Sequence, residues 1–157
     1  MKFSDLNMKK MLSIALVCFM SLLASFQMAA QTKIIKGDNA YGEVLYNFDG
    51  KELRAGSNQY SKVLYNWDGE AIRNGSSKYS EVLYTFDGKY FRQGSSKYGK
   101  VLYNWDGQYI RQGESKYGEV LYNFDGQYVR AGESKYASKM LNISGKIPIG
   151  LLIFLLM

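Results

Sequence analysis

The chain predicts an all-β fold, an antiparallel meander of tandem 19-residue β-hairpins that is coiled or closed, barrel-like or a hairpin solenoid. Helix is expected only in an N-terminal signal peptide. Three observations predict this class. A nineteen-residue unit is read five times in succession from Tyr41 to Lys135. Asp-Gly stands between two short apolar runs in every copy. Sixteen glycines, all from Gly37 onward, leave no long stretch of 3.6-residue periodicity.

Residues 1–30 read as a signal peptide. Lys9 and Lys10 give a basic start, Met11 to Phe26 an uncharged apolar run, and Gln27-Met28-Ala29-Ala30 ends in small residues, which places cleavage after Ala30. A retained anchor is the rival reading, but the run is short against the ~20 residues that a bilayer span needs. Export to the periplasm, cell surface or medium is therefore expected. Cleavage removes Lys2, Lys9, Lys10 and Asp5, lowering the net charge from +6 to +4, and it removes the only cysteine, Cys18. There is no histidine. Residues 31–157 thus have no thiolate or imidazole for catalysis or metal ligation, and no enzyme or cofactor is expected.

Residues 31–157 read as one repeat domain. A half repeat (34–40) precedes the five full copies (41–135), and a degenerate cap with an apolar tail (136–157) follows. In the first copy, Val44 to Phe48 is β-branched and aromatic, and Lys51 to Arg54 is a return strand. Asp49-Gly50 between them predicts a two-residue type I′ turn. That turn would pair Phe48 with Lys51, Tyr46 with Leu53 and Val44 with Ala55 on one face, with Asn47 and Arg54 on the other. The first face is the expected core and the second the wet face. The Tyr of each linker, such as Tyr79, is expected to fold back and cap the core. A sheet with one apolar face cannot stay flat and bare in water, so it must coil, close or pair with something else.

A second rhythm overlies the first. The residue before Asp-Gly alternates Phe48, Trp67, Phe86, Trp105, Phe124, and the residue before the Val alternates Glu43, Lys62, Glu81, Lys100, Glu119. This 38-residue period either sets large rings beside small ones and opposite charges side by side, or records duplication of a two-hairpin unit. The tail from Ile147 to Met157 is too short for a spanning helix. It reads as a final buried strand closing the sheet, or else as a tail contacting a membrane or partner.

Candidate sites follow from the wet face. An Arg recurs in every copy, and the last three add Tyr90, Tyr109 and Tyr128 two residues before Arg92, Arg111 and Arg130. Rings can stack on sugars and guanidinium groups can pair with carboxylate, sulfate or phosphate. This stripe is the predicted binding site for a glycan or anionic surface polymer. Cross-strand pairing that merely stabilises the wet face is the other reading. Nucleic acid is not expected from a chain of this charge that is exported. Asn-x-Asp-Gly in four copies has too few oxygen ligands for calcium and reads as turn chemistry.

The motif V-L-Y-N-[FW]-D-G-x-x-[LIFV]-R-x-G, repeated over 41–135 behind a signal peptide, resembles small exported bacterial tandem-repeat proteins, a resemblance that carries no established activity. It is more distantly similar to choline-binding and cell-wall-binding hairpin repeats, which build ligand sites from aromatics between hairpins. Those carry Gly-Trp after the turn, whereas Gly56, Gly75, Gly94, Gly113 and Gly132 precede Ser or Glu here. The binding reading has a structural alternative: a scaffold that assembles through sheet edges or the apolar tail.

Overall fold

Each of the five full repeats folds as two strands, and the partial units at either end supply one strand each. In chain order these are β1 (Thr32–Lys36), β2 (Val44–Phe48), β3 (Glu52–Ala55), β4 (Val63–Trp67), β5 (Ala71–Asn74), β6 (Val82–Phe86), β7 (Tyr90–Gln93), β8 (Val101–Trp105), β9 (Tyr109–Gln112), β10 (Val120–Phe124), β11 (Tyr128–Ala131) and β12 (Lys139–Ser144). A short helix, α1 (Ile149–Leu155), follows. The computed structural model describes residues 31–157; the expected signal peptide, its expected cleavage after Ala30 and Cys18 fall outside the described residues. The sheet is a closed antiparallel barrel in which β1 returns to pair with β12.

Closure makes the repeat count six. β12 carries Asn142 and Ile143 where the full copies carry Asn (Thr85 in the third) and Phe or Trp, and β1 carries Ile34 where they carry the apolar residue of the return strand. Ile34 pairs with Ile143 as Leu53 pairs with Phe48. The two partial units are therefore one hairpin, shared between distant parts of the chain. The closed ladder also has no edge strand, so the expected route to assembly through sheet edges is overturned.

The register differs from the expected one by two residues. Phe48 pairs with Leu53 and Tyr46 with Ala55, so the turn is longer than a type I′ turn. The cause is the aspartate side chain. Asp49 Oδ1 accepts the backbone N–H groups of Lys51 (2.9 Å) and Glu52 (2.7 Å), an Asx-type turn that needs positive φ at Gly50 (+100°) and not at Asp49. A shift of two preserves the alternation, so the inward face is the expected one, but the outward face is not wet throughout: Asn47, Asn66, Asn104, Asn123 and Arg130 are buried on it. Phe48, Leu53, Trp67, Ile72, Phe86 and Phe91 and their equivalents point inward and are buried, Trp105 only partly.

The tail is the largest departure, because it is neither a closing strand nor an exposed patch. Ile149–Leu155 is helical, and Leu151, Leu152 and Ile153 are fully buried in the cluster that lines the barrel. The strand vacancy that the tail was expected to fill is already taken by β1. Eight-stranded barrels can be filled by side chains, but twelve strands leave a wider hole. A helix of ~10 Å diameter suits that hole, and one apolar on all sides is suited to nowhere else. Close approach is possible because residue 150 is Gly: a Cβ there would lie 2.6 Å from the Phe86 Cβ and 2.9 Å from the Trp67 ring. Tyr65 packs edge-on against Phe154 at 4.7 Å, and the Tyr122 hydroxyl donates to the Leu156 carbonyl at 3.1 Å. The apolar surface expected to meet a membrane or partner is thus used inside the protein.

Candidate functional site

The two ends of the barrel are built differently. Asp-Gly turns ring one end, and α1 enters there, with Pro148 and Ile149 beside Trp67 and Phe86. The six longer connections ring the other end. The helix fills the lumen, so the surfaces left for recognition are the outer wall and the two rims.

On the wall, each turn aspartate does a second job. Its Oδ2 accepts from the arginine five residues on: Arg54 to Asp49 and Arg130 to Asp125 at 2.7 Å, Arg92 to Asp87 at 2.5 Å, Arg111 to Asp106 at 3.1 Å, and Arg73 to Asp68. Partial burial pushes these carboxyls up, but the backbone N–H groups and the arginine outweigh it and hold all five below the usual aspartate range. A lowered folded-state value means stability that is present above the ordinary aspartate range and lost as pH falls through the folded-state values. The constant Asp-to-Arg spacing in every copy was the sequence signal for this pairing.

Tyr90, Tyr109 and Tyr128 lie on the outer wall, half-buried, as the alternation placed them. The structure brings each together with its arginine: the guanidinium carbons of Arg92, Arg111 and Arg130 sit 5.1, 5.2 and 5.6 Å from the ring centroids. Lys139 sits 3.9 Å from the Tyr128 centroid. These are cation–π pairs. Each arginine is therefore engaged by its aspartate and by its tyrosine before any ligand arrives, and Arg111 also donates to the Gly118 carbonyl at 3.2 Å.

The linker tyrosines do the reverse of what was expected. Tyr41, Tyr60, Tyr79, Tyr98, Tyr117 and Tyr136 do not cap the core, and are 84–97% exposed. They stand one per hairpin on the rim opposite the Asp-Gly turns. Each sits in a tight turn held twice. The backbone N–H of Ser80 donates to the Ser77 carbonyl at 3.2 Å, and the Tyr79 N–H donates to Ser77 Oγ at 3.2 Å. The lysine before four of these tyrosines lies 4.8–5.0 Å from the ring centroid.

The buried asparagine of the motif fastens this rim to the wall. Asn66 Nδ2 donates to the carbonyls of Gly75 (2.8 Å) and Ser77 (3.2 Å), and Asn47, Asn104 and Asn123 repeat the pattern. Thr85, in the third copy, reaches only the Gly94 carbonyl at 3.3 Å. The asparagine thus serves the loop that follows the hairpin, while the aspartate serves the turn. Among the described residues no group of three His, Cys, Asp or Glu is placed to hold a metal ion. Asn66→Ala should cost about 1–3 kcal/mol in chemical denaturation, since it removes the side-chain donor to the Gly75 carbonyl and leaves the Ser77 carbonyl with the Ser80 N–H alone. Thr85→Ala should cost clearly less, and equal losses would refute the fastening role.

No curated protein and no solved structure matches the chain. A family model does: that of the 6-fold beta flower protein matches residues 34–154. The match runs from the first strand through the central helix, and its six-fold description agrees with the six hairpins counted around the ring. The chain belongs to the 6-fold beta flower protein family.

Proposed function

We propose that this barrel is a non-enzymatic binding module for a glycan or related surface polymer, working outside the cytoplasm. The observation that carries the reading is the distribution of aromatic side chains over the outside of a body whose interior is filled by its own helix. A ligand then meets the exterior, where tyrosines recur at intervals set by the hairpins. Strands lie ~4.8 Å apart, so equivalent positions two strands apart are roughly 10 Å apart. Such a periodic surface suits a periodic ligand. The wall residues Tyr90, Tyr109 and Tyr128, with Arg92, Arg111 and Arg130, form one contact, in which the partly exposed Arg92 and Arg111 offer their remaining N–H donors to acidic substituents of the polymer while the buried Arg130 backs Tyr128. The signal-like residues 1–30 support export.

The test is retention of the protein during electrophoresis through gels that contain soluble polysaccharides, neutral and acidic. Some polymers of the panel should retard the intact protein, and serine at Tyr90, Tyr109 and Tyr128 together should weaken retardation several-fold. Free migration through every polymer would overturn the glycan reading as a whole.

A further inference from the structure

The six rim tyrosines share a structural role that no packing requirement explains. A tyrosine that served stability would bury its ring, yet these expose 84–97% of their surface. The tyrosine stands at the same turn position in six of six connections, including the divergent 37–43 and 132–138. The turns beneath them are closed by backbone hydrogen bonds of 2.9–3.2 Å in all six copies, from Gly42 to Asn39 through Ala137 to Ser134. The rings are thus held out from a rigid base, which lowers the entropy lost when a ligand is engaged.

The chemistry of the rim narrows the ligand. The six connections, 37–43, 56–62, 75–81, 94–100, 113–119 and 132–138, contain six lysines and six acidic residues, so the rim has no net charge. A polyanion or an anionic bilayer would call for a basic ring. A protein partner would call for a contiguous apolar centre in which a few residues become fully desolvated. Here the rings stand roughly 10 Å apart along the barrel wall, with Gly, Ser, Asn, Lys and acidic residues between them. What remains is a flat, uncharged, hydroxyl-rich ligand that is touched at separated points. The face of an aromatic ring is electron-rich, and the C–H-lined face of a pyranose is its complement through weak C–H contacts. The neighbouring serine, asparagine and lysine side chains can serve the sugar hydroxyls. Single contacts of this kind are weak, but six on one rigid ring act together.

We infer that the tyrosine rim is the principal docking ring for a neutral polysaccharide, engaged at several tyrosines at once. This inference rests on the glycan-binding reading and names its surface and ligand class; the wall tyrosines then provide a secondary contact.

The experiment is affinity electrophoresis of the protein in hydroxyethyl cellulose, mannan and dextran, with alginate as the acidic comparison. Serine replaces the tyrosines in pairs, Tyr79 and Tyr98 first, then Tyr60 and Tyr117, then Tyr41 and Tyr136. Affinity for a neutral polymer should fall with each pair and drop about 10²-fold or more overall, as expected for lost multivalency. Melting temperature should stay within a few degrees, since exposed substitutions move stability little. Phenylalanine at the same six positions should restore binding, and added salt should leave it unchanged. Retention on a neutral polymer that survives all six serines overturns the rim assignment and leaves the glycan reading intact. Retention on alginate alone, abolished by salt, overturns the neutral-ligand assignment. A rim-dependent change in sedimentation size or in binding to phosphatidylglycerol vesicles would assign the rim to a protein or a bilayer instead. If no polymer in the panel retards the intact protein, the glycan reading itself fails, and this inference with it.

Discussion

Replacing Leu152 with aspartate should abolish the folded barrel, and the corresponding change at Met157 should leave it standing. Leu152 is fully buried at the middle of α1, in the lumen. Removing its side chain alone would cost about 2–5 kcal/mol through lost transfer energy and an unfilled cavity. The carboxylate adds a desolvation penalty with no partner in reach, because the cluster around α1 is apolar. Even one of these terms is a large share of the ~5–15 kcal/mol that holds a typical domain together. Met157 is half-exposed beyond the helix end, and a surface substitution of that kind moves stability by about 0.5 kcal/mol or less. Thermal unfolding followed by circular dichroism reads both. A Leu152→Asp protein melting within a few degrees of the parent would show that α1 does not fill the barrel.

The same helix marks where legibility ended. Hairpins, strand faces and core identities were readable because Asp-Gly and a period of two recur five times, and such redundancy survives an error of register. Pairing Phe48 with Lys51 instead of Leu53 was such an error. It came from assigning Asp49 a backbone role when its side chain shapes the turn. The tail was misjudged for a global reason. Its fate depends on the width of the hole, which depends on strand number, and the twelfth strand appears only when Ile34 and Ile143 are seen to share a hairpin.

The outer wall and the rim were legible in part. Alternation placed Tyr90, Tyr109 and Tyr128 on the wall correctly, but it does not show that Arg92, Arg111 and Arg130 are held by Asp87, Asp106 and Asp125. The rim was missed because an aromatic residue is by default a core residue. The overlooked signal was local: each rim tyrosine follows a Ser or Asn by two positions and precedes a small residue, which is turn chemistry and not strand chemistry.

Closure is the second feature on which the fold depends, and removing β1 should convert the protein into an assembling species. Hairpins within the five full copies join residues close in sequence. Ile34 and Ile143 are 109 positions apart, so their pairing costs roughly 3 kcal/mol more in loop-closure entropy than a five-residue hairpin contact. That cost is offset by a double ladder, since β1 bonds to both β12 and β2, and by complete burial of Ile34. Without residues 31–36, β2 and β12 become edges with free N–H and C=O groups, and one side of α1 loses its cover. Exposed edges pair with other copies. The truncated chain should therefore sediment as species larger than the intact chain, and its melting transition should weaken or vanish. Adding a peptide of residues 31–37 should restore the size and transition of the intact chain, because the missing strand can be supplied in trans. General misfolding predicts no rescue by that peptide. A truncated chain with the same size and melting temperature as the parent would refute closure through β1.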